Sequence, residues 1–417
     1  MEPNRFSMSR RNFVQLSGAA GILSIAGLAA CGNGGSSSSD GGSSDGSAKF
    51  KVGGIGPVSG EAAIYGNAVK TGMEVAAEEL ASKGGKVQFD LKFEDDEADG
   101  EKSQNAYNTL KDWGMQILCG SVTTDACVAT SASSNADNLF QLTPSASSTD
   151  VIGGQPDANG NVAVARKANV FQMCFTDPNQ GTASAKYIKQ KGLGTKIGVI
   201  YNSATAYSAG IYQKFAAEAE NEGLEVVSVQ AFTDDKNQDF KPQLQACQQA
   251  GADLVFLPDY YTPISMILKQ ASDMGYKPAW FGCDGVDGLL TVEGFDPKLA
   301  EGVMLLTPFS ADATDDLTKQ FVETYKKNYN DTPNQFAADA YDVIMVLAQA
   351  LEKAGCTPDM SASDLCDKLE ETIVSSDFSY SGLTGQNVTW KDSGEVSKDP
   401  KGMVIKDGAY AGMDNEE

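Results

Sequence analysis

Histidine is absent from all 417 residues. That absence removes Ser-His-Asp and Cys-His nucleophilic catalysis, imidazole metal sites and the commonest general base. Basic side chains are scarce as well. Lys and Arg number 32 against 56 Asp and Glu, with no Lys/Arg-rich run to track phosphates, so no nucleic-acid partner is expected. What remains is 41% hydrophobic residues, which at this length is enough for two domains with a core each.

The first 30 residues read as an export signal. Ser9-Arg10-Arg11-Asn12-Phe13-Val14 matches a twin-arginine signal, and Leu16 to Ala30 is apolar and small but too short for a comfortable membrane span. Leu28-Ala29-Ala30-Cys31-Gly32 resembles a bacterial lipobox, in which Cys31 would be diacylated and become the new amino terminus. The alternative is an ordinary signal with an incidental cysteine. Residues 32–47 are nearly all Gly, Ser and Asp, a flexible tether about 20 to 25 Å from end to end. The expected product is extracytoplasmic and held to the bacterial cell membrane by lipid, with 1–30 removed and 31–48 forming the lipidated linker.

Beyond the linker, strands alternate with helices. Phe50 to Ile55, Val87 to Phe93, Met115 to Cys119 and Leu139 to Leu142 read as strands, with helical spacing between them at Val69, Met73, Ala76 and Leu80 and again at Ala106, Tyr107 and Leu110. This βαβ pattern predicts a mostly parallel sheet wrapped by helices. After an irregular Gly/Asn-rich stretch around 153–170, a second series follows. Its helices are expected over 182–191, 211–222, 242–250 and 264–274, and its strands over 196–201, 224–232, 254–257, 279–282 and 303–306. Two long helices near 314–330 and 336–354 exceed what the second unit needs and are expected to return to the first.

Chemistry concentrates at strand ends. The Leu139 strand stops at Thr143-Pro144 and leaves Ser145, Ser147 and Ser148 beyond its carboxyl end, where open α/β sheets hold ligands. Hydroxyls and free backbone N–H groups there suit a small carboxylate; a plain surface turn is the alternative. Asp284, between Cys283 and Gly285 after a buried strand of the second unit, would supply the opposite charge, so the two turns together suit a zwitterion. Tyr65, Tyr207, Tyr260 and Phe336 fall at strand or helix ends and could wall an apolar pocket. Gly54-Ile55-Gly56-Pro57-Val58-Ser59 lacks the third glycine of a dinucleotide fingerprint, and no cofactor is expected. The acidic run Asp95 to Asp99 lacks calcium-loop spacing and reads as a strand end and helix cap, so no metal is expected. Cys356 and Cys366 could close a small disulfide loop, though spacing alone leaves the pairing open.

In this order, Val58-Ser59-Gly60 with Tyr65-Gly66, Thr143-Pro144-Ser145-Ala146-Ser147, Asp177 with Gln180-Gly181, Tyr207, Asp253-Leu254-Val255-Phe256 and Gly282-Cys283-Asp284-Gly285 resemble the branched-chain amino acid (Leu/Ile/Val-type) substrate-binding proteins of ABC transporters. The likeness runs from Lys49 to about Tyr410. It implies the type I periplasmic binding protein fold, two Rossmann-like lobes joined by a three-stranded hinge, with 49–173 and 306–386 in lobe 1 and 174–305 and 387–417 in lobe 2. The hinge would cross near Gln172 to Cys174, Leu306 to Pro308 and Leu383 to Val388. By the same resemblance, the backbone and hydroxyls at Thr124, Ser145 and Ser147 would hold an amino-acid carboxylate and Asp284 the ammonium, with Thr123 a further ligand-binding candidate. Tyr207 and Tyr260 would close from lobe 2, and Tyr65, Val122 and Phe336 would line the side-chain pocket. A non-enzymatic monomer delivering its ligand to ABC permease subunits is implied. The chain departs from the family in carrying Asp284 where glutamate is common. Relatives on this scaffold bind aliphatic amides, urea or aromatic acids, and a sensory lipoprotein or a hydrolase using Asp284 and Asp287 are the competing functions.

Overall fold

The computed structural model describes residues 48–156, 161–233 and 238–413. The export signal, Cys31 and nearly all of the Gly/Ser linker lie outside the described residues.

The first series runs β1 (Phe50–Gly56), α1 (Ala63–Ser82), β2 (Phe89–Asp95), α2 (Gly100–Trp113), β3 (Ile117–Gly120), α3 (Thr124–Ala136), β4 (Phe140–Thr143), α4 (Thr149–Ile152) and β5 (Val170–Gln172). These strands form one parallel sheet in the order β2-β1-β3-β4-β5. Helices cover both faces, so β3 and β4 are buried throughout and carry unbroken short runs instead of alternation. The acidic run is spent locally. Asp99 accepts from the backbone N–H groups of Glu101 and Lys102 to cap α2, and Asp95 accepts from Val58 N and Ser59 Oγ.

The second series runs α5 (Asp177–Lys191), β6 (Lys196–Asn202), α6 (Ala206–Asn221), β7 (Glu225–Phe232), α7 (Lys241–Gln249), β8 (Leu254–Leu257), α8 (Tyr261–Asp273), β9 (Ala279–Gly282) and β10 (Met304–Thr307). Then come α9 (Asp316–Tyr329), α10 (Gln335–Lys353), α11 (Ala362–Ile373), β11 (Lys401–Lys406) and β12 (Ala409–Gly412). The second sheet has the order β12-β11-β10-β9-β8-β6-β7, antiparallel only where β11 meets β10 and β12. The mixed two-sheet α/β architecture matches the expected fold class.

As expected, α10 returns to the first sheet's side and packs against α1. The approach is so close that a Cβ on Gly72 would lie 2.1 Å from the carbonyl oxygen of Ala337. The chain passes between sheets at 173–176 and again after Thr307. The third passage falls later than expected. Gln172 N donates to Gly394 O and Trp390 Nε1 donates to Gln172 O, so 387–396 stays with the first sheet and crosses only at 397–400. Lys398, in that passage, donates to Asp339 Oδ1 on α10 at 2.7 Å, a fully buried ion pair. Cys356 and Cys366 are both free thiols, so the loop disulfide is not formed.

Candidate functional site

The carboxyl ends of β3 and β4 in the first sheet face those of β8 and β9 in the second. Between them lies a cavity lined by Tyr65, Val122, Thr123, Thr124, Ser145, Tyr207, Tyr260, Asp284, Gly285 and Phe336. Nine of the ten expected side chains are brought together there; Ser147 is not. It is fully buried outside the cavity lining, beside the buried Asp177 carboxyl.

The hydroxyls of the β4 turn do not all point at a ligand. Thr143 Oγ1 donates to Ser121 O at 2.7 Å, Ser145 Oγ donates to Val122 O at 2.7 Å, and Ser148 Oγ accepts from Asp150 N to cap α4. These bonds hold the turn rigid and use up the hydroxyl hydrogens of Thr143 and Ser145. Facing the cleft, an anion finds the Thr123 hydroxyl, buried and without a hydrogen-bond partner among the described residues, and the amino-terminal turn of α3, whose dipole favours negative charge.

The second lobe supplies the opposite polarity. Asp284 opens a 3-10 turn (Asp284–Val286) directly after β9 and is buried. Its Oδ1 accepts from Tyr207 Oη at 2.6 Å and its Oδ2 from Gln180 Nε2 at 2.9 Å. Burial pushes this carboxyl up to about 7, against the lowering effect of the Tyr207 and Gln180 hydrogen bonds. No Lys or Arg pairs with it among the described residues. Gly285 lets the turn lie on Tyr207: a Cβ there would sit 2.7 Å from the Tyr207 hydroxyl and 2.6 Å from Asp259 O. Tyr207 stacks on Tyr260 with ring centroids 4.8 Å apart.

The lobes meet directly across this site. Tyr65 Oη donates to Gly285 O at 2.5 Å and its ring lies 4.3 Å from that of Phe336, while Gln335 Nε2 donates to Asp284 O at 2.7 Å. The enclosed volume is about 10 Å³, room for one water molecule, so a larger ligand enters only when the lobes part or the aromatic rings turn. Gln180 and Gln335 were not among the expected site residues. Gln180 stands in the Asp177-Pro178-Asn179-Gln180-Gly181 helix start and Gln335 immediately precedes Phe336, so position beside a recognised residue was their only signal.

A family model described as periplasmic binding protein matches residues 49–409. The chain belongs to the periplasmic binding protein family. Among similar proteins, the Leu/Ile/Val-binding protein homolog 3 of Brucella melitensis is 26% identical over 319 residues, 76% of this chain and 82% of its own. LivJ of Streptococcus pneumoniae, solved with isoleucine, superposes with a TM-score of 0.75 at 23% identity, covering 87% of this chain and 97% of its own. An R. palustris solute-binding protein solved with benzoate gives 0.74 at 19%, covering 88% and 95%. Periplasmic binding proteins are extracytoplasmic solute-binding proteins rather than an enzyme family. Among the described residues no helix is long and apolar enough to cross a membrane.

Proposed function

We propose that this periplasmic binding protein captures an amino acid of the branched-chain type between its lobes and delivers it to the permease subunits of an ABC importer, without turnover. One observation carries the reading. A buried carboxylate without a cation, Asp284, faces the amino-terminal turn of α3 across a cleft walled by Tyr65, Tyr260 and Phe336. A zwitterion would bring its ammonium to Asp284 and its carboxylate to the Thr123 hydroxyl and the amino-terminal turn of α3, so Asp284 gains a counter-charge and Thr123 a hydrogen-bond partner. The chain's likeness to a Leu/Ile/Val-binding protein homolog and to LivJ solved with isoleucine supports the same class. An aromatic acid, the class carried by the benzoate-bound neighbour, suits the aromatic walls of this cleft but leaves Asp284 unpaired.

Thermal shifts of residues 48–417, refolded once to strip carried ligand, test this against the amino acids, simple amides, urea and aromatic carboxylates. Ligand at a hundred times its Kd adds about 2.7 kcal/mol. Shifts confined to leucine, isoleucine and valine are expected. Shifts with acids lacking an ammonium would remove the role of Asp284. Silence across a folded sample would favour a sensor of some other ligand. We also propose that Cys31 carries the lipid anchor and that the protein acts as a monomer. Cys31→Ser should then move the protein from the membrane fraction to the soluble one, and retention would require another tether. Light scattering of the soluble form should return one chain; a dimer mass would overturn the monomer.

A further inference from the structure

The 3-10 turn that carries Asp284 ends beside a second carboxylate, and the two face different spaces. Asp284 lines the small cleft. Asp287, also buried, lines a separate cavity of about 690 Å³. Gln335 forms part of the partition, donating from Nε2 to Asp284 O and from its backbone N–H to Asp287 Oδ2 at 2.8 Å, while its Oε1 accepts from Thr307 Oγ1. Walls of the large cavity come from both lobes: α1, α9 and the loop before α10 on one side, and the turn after β9 with β10, β11 and β12 on the other.

The lining has a definite chemical character. Asp287, Asp312 and Asp331 stand against Lys326 alone, so the lining is net negative, with Asp287 its buried charge and Asp312, Asp331 and Lys326 exposed at the mouth. Tyr325, Tyr329 and Tyr410 line it, aromatic residues of the kind that hold organic cations, and Ile64, Leu305 and Met403 supply apolar surface. The volume lies within the range of small-molecule sites. Asp287 accepts the Gln335 backbone N–H at Oδ2, which leaves lone pairs for an ammonium, while the Gly288 N–H donates to Tyr410 Oη. A bare metal ion does not match these features, because among the described residues no three acidic or thiol side chains converge.

We infer that this cavity is a second ligand site, for a small organic amine with an aromatic or aliphatic body, its ammonium on Asp287. Because both lobes build its walls, an occupant favours the closed arrangement and by linkage tightens whatever the cleft at Asp284 binds. The inference does not depend on which ligand that cleft takes.

Phenethylamine is the probe and phenylacetate its anionic counterpart, each titrated calorimetrically into the wild-type chain, Asp287→Asn, Ala311→Trp and Asp284→Asn. Ala311 lines the large cavity only, so a tryptophan there fills it without touching the cleft. Saturable phenethylamine binding is expected, with none for phenylacetate. Asp287→Asn should weaken it by about tenfold or more, the effect of losing a charge-assisted hydrogen bond. Ala311→Trp should abolish it, and Asp284→Asn should leave it unchanged. Absence of saturable binding to the wild type, equal binding of phenylacetate, or full affinity in Asp287→Asn overturns the proposal. Loss in Asp284→Asn with retention in Ala311→Trp would place the amine in the cleft and overturn it as well. If Asp287→Asn fails to fold, Ala311→Trp alone decides.

Discussion

Two aspartates, Asp284 and Asp339, are buried to a similar depth on opposite sides of the cleft, yet the protein treats them differently. Asp339 has a cation. The Lys398 ammonium donates to it at 2.7 Å and to Thr384 Oγ1 at 2.7 Å, and Thr384 in turn joins Asp342, which accepts from Tyr380 Oη, Leu383 N and Thr384 N. Asp284 has neutral donors only. Burial still pushes both carboxyls upward, Asp339 to about 6 and Asp284 to about 7. A buried carboxylate with its counter-charge built in belongs to the scaffold, whereas one supplied with orienting hydrogen bonds and no counter-charge is suited to receive a charge from outside.

Substitutions can break this contrast. Lys398→Met should cost about 3 to 5 kcal/mol of stability, because it strands Asp339 and loosens the third passage from α10; urea melts measure it. The double replacement Asp339→Leu with Lys398→Met should recover most of that loss, and a double variant as weak as the single would show that the pair is not the unit. Next in size, Asp284→Ala should weaken an amino-acid ligand by about 2 to 5 kcal/mol while Lys398→Met leaves the affinity of the folded fraction nearly intact. Calorimetry on both variants decides, and equal affinities would dissolve the distinction.

The pH slope is the smallest effect per unit step. Between the carboxyl value of an unfolded chain, about 4, and the folded value of about 7, native Asp284 holds a proton that the unfolded chain releases. Ligand-free stability from this group is therefore greatest below pH 4 and lost as pH rises to 7. An ammonium ligand needs the ionised form, so its affinity should rise by up to about tenfold per unit toward pH 7 and level off above it. Asp284→Asn should flatten both profiles. A wild-type affinity that falls as pH rises would reverse the assigned charge.

The alternation of strands and helices was readable because buried β-strands form short apolar runs and amphipathic helices keep their period. The helix starts in the second lobe were not. Periodicity places them at Thr182, Ile211 and Ile264, but the helices begin at Asp177, Ala206 and Tyr261. Those first turns carry Asp177, Gln180, Tyr207 and Tyr261. Asp177 and Gln180 are polar, and Tyr207 divides between the core and the cleft, so these turns depart from the hydrophobic pattern that would reveal them. The β4 turn was legible as a concentration of hydroxyls, but their directions depend on where β3 lies: Thr143 and Ser145 donate to the carbonyls of Ser121 and Val122, about 20 residues away in sequence. The late third passage at 397–400 depends on Trp390 reaching Gln172, a contact that no local pattern announces.

The glycine at 72 bears on how this protein could be retuned. With no side chain between them, the backbones of α1 and α10 are in contact, and these two helices carry Tyr65 and Phe336. That wall behaves as one plate, and its helices have no slack with which to accommodate a bulkier cargo. Ligand size is then set by the reach of two rings, and shortening Tyr65 or Phe336 would enlarge the cleft without redesigning the backbone. Any side chain added at 72 would pry the plate apart and shift both rings, and Asp339 with them.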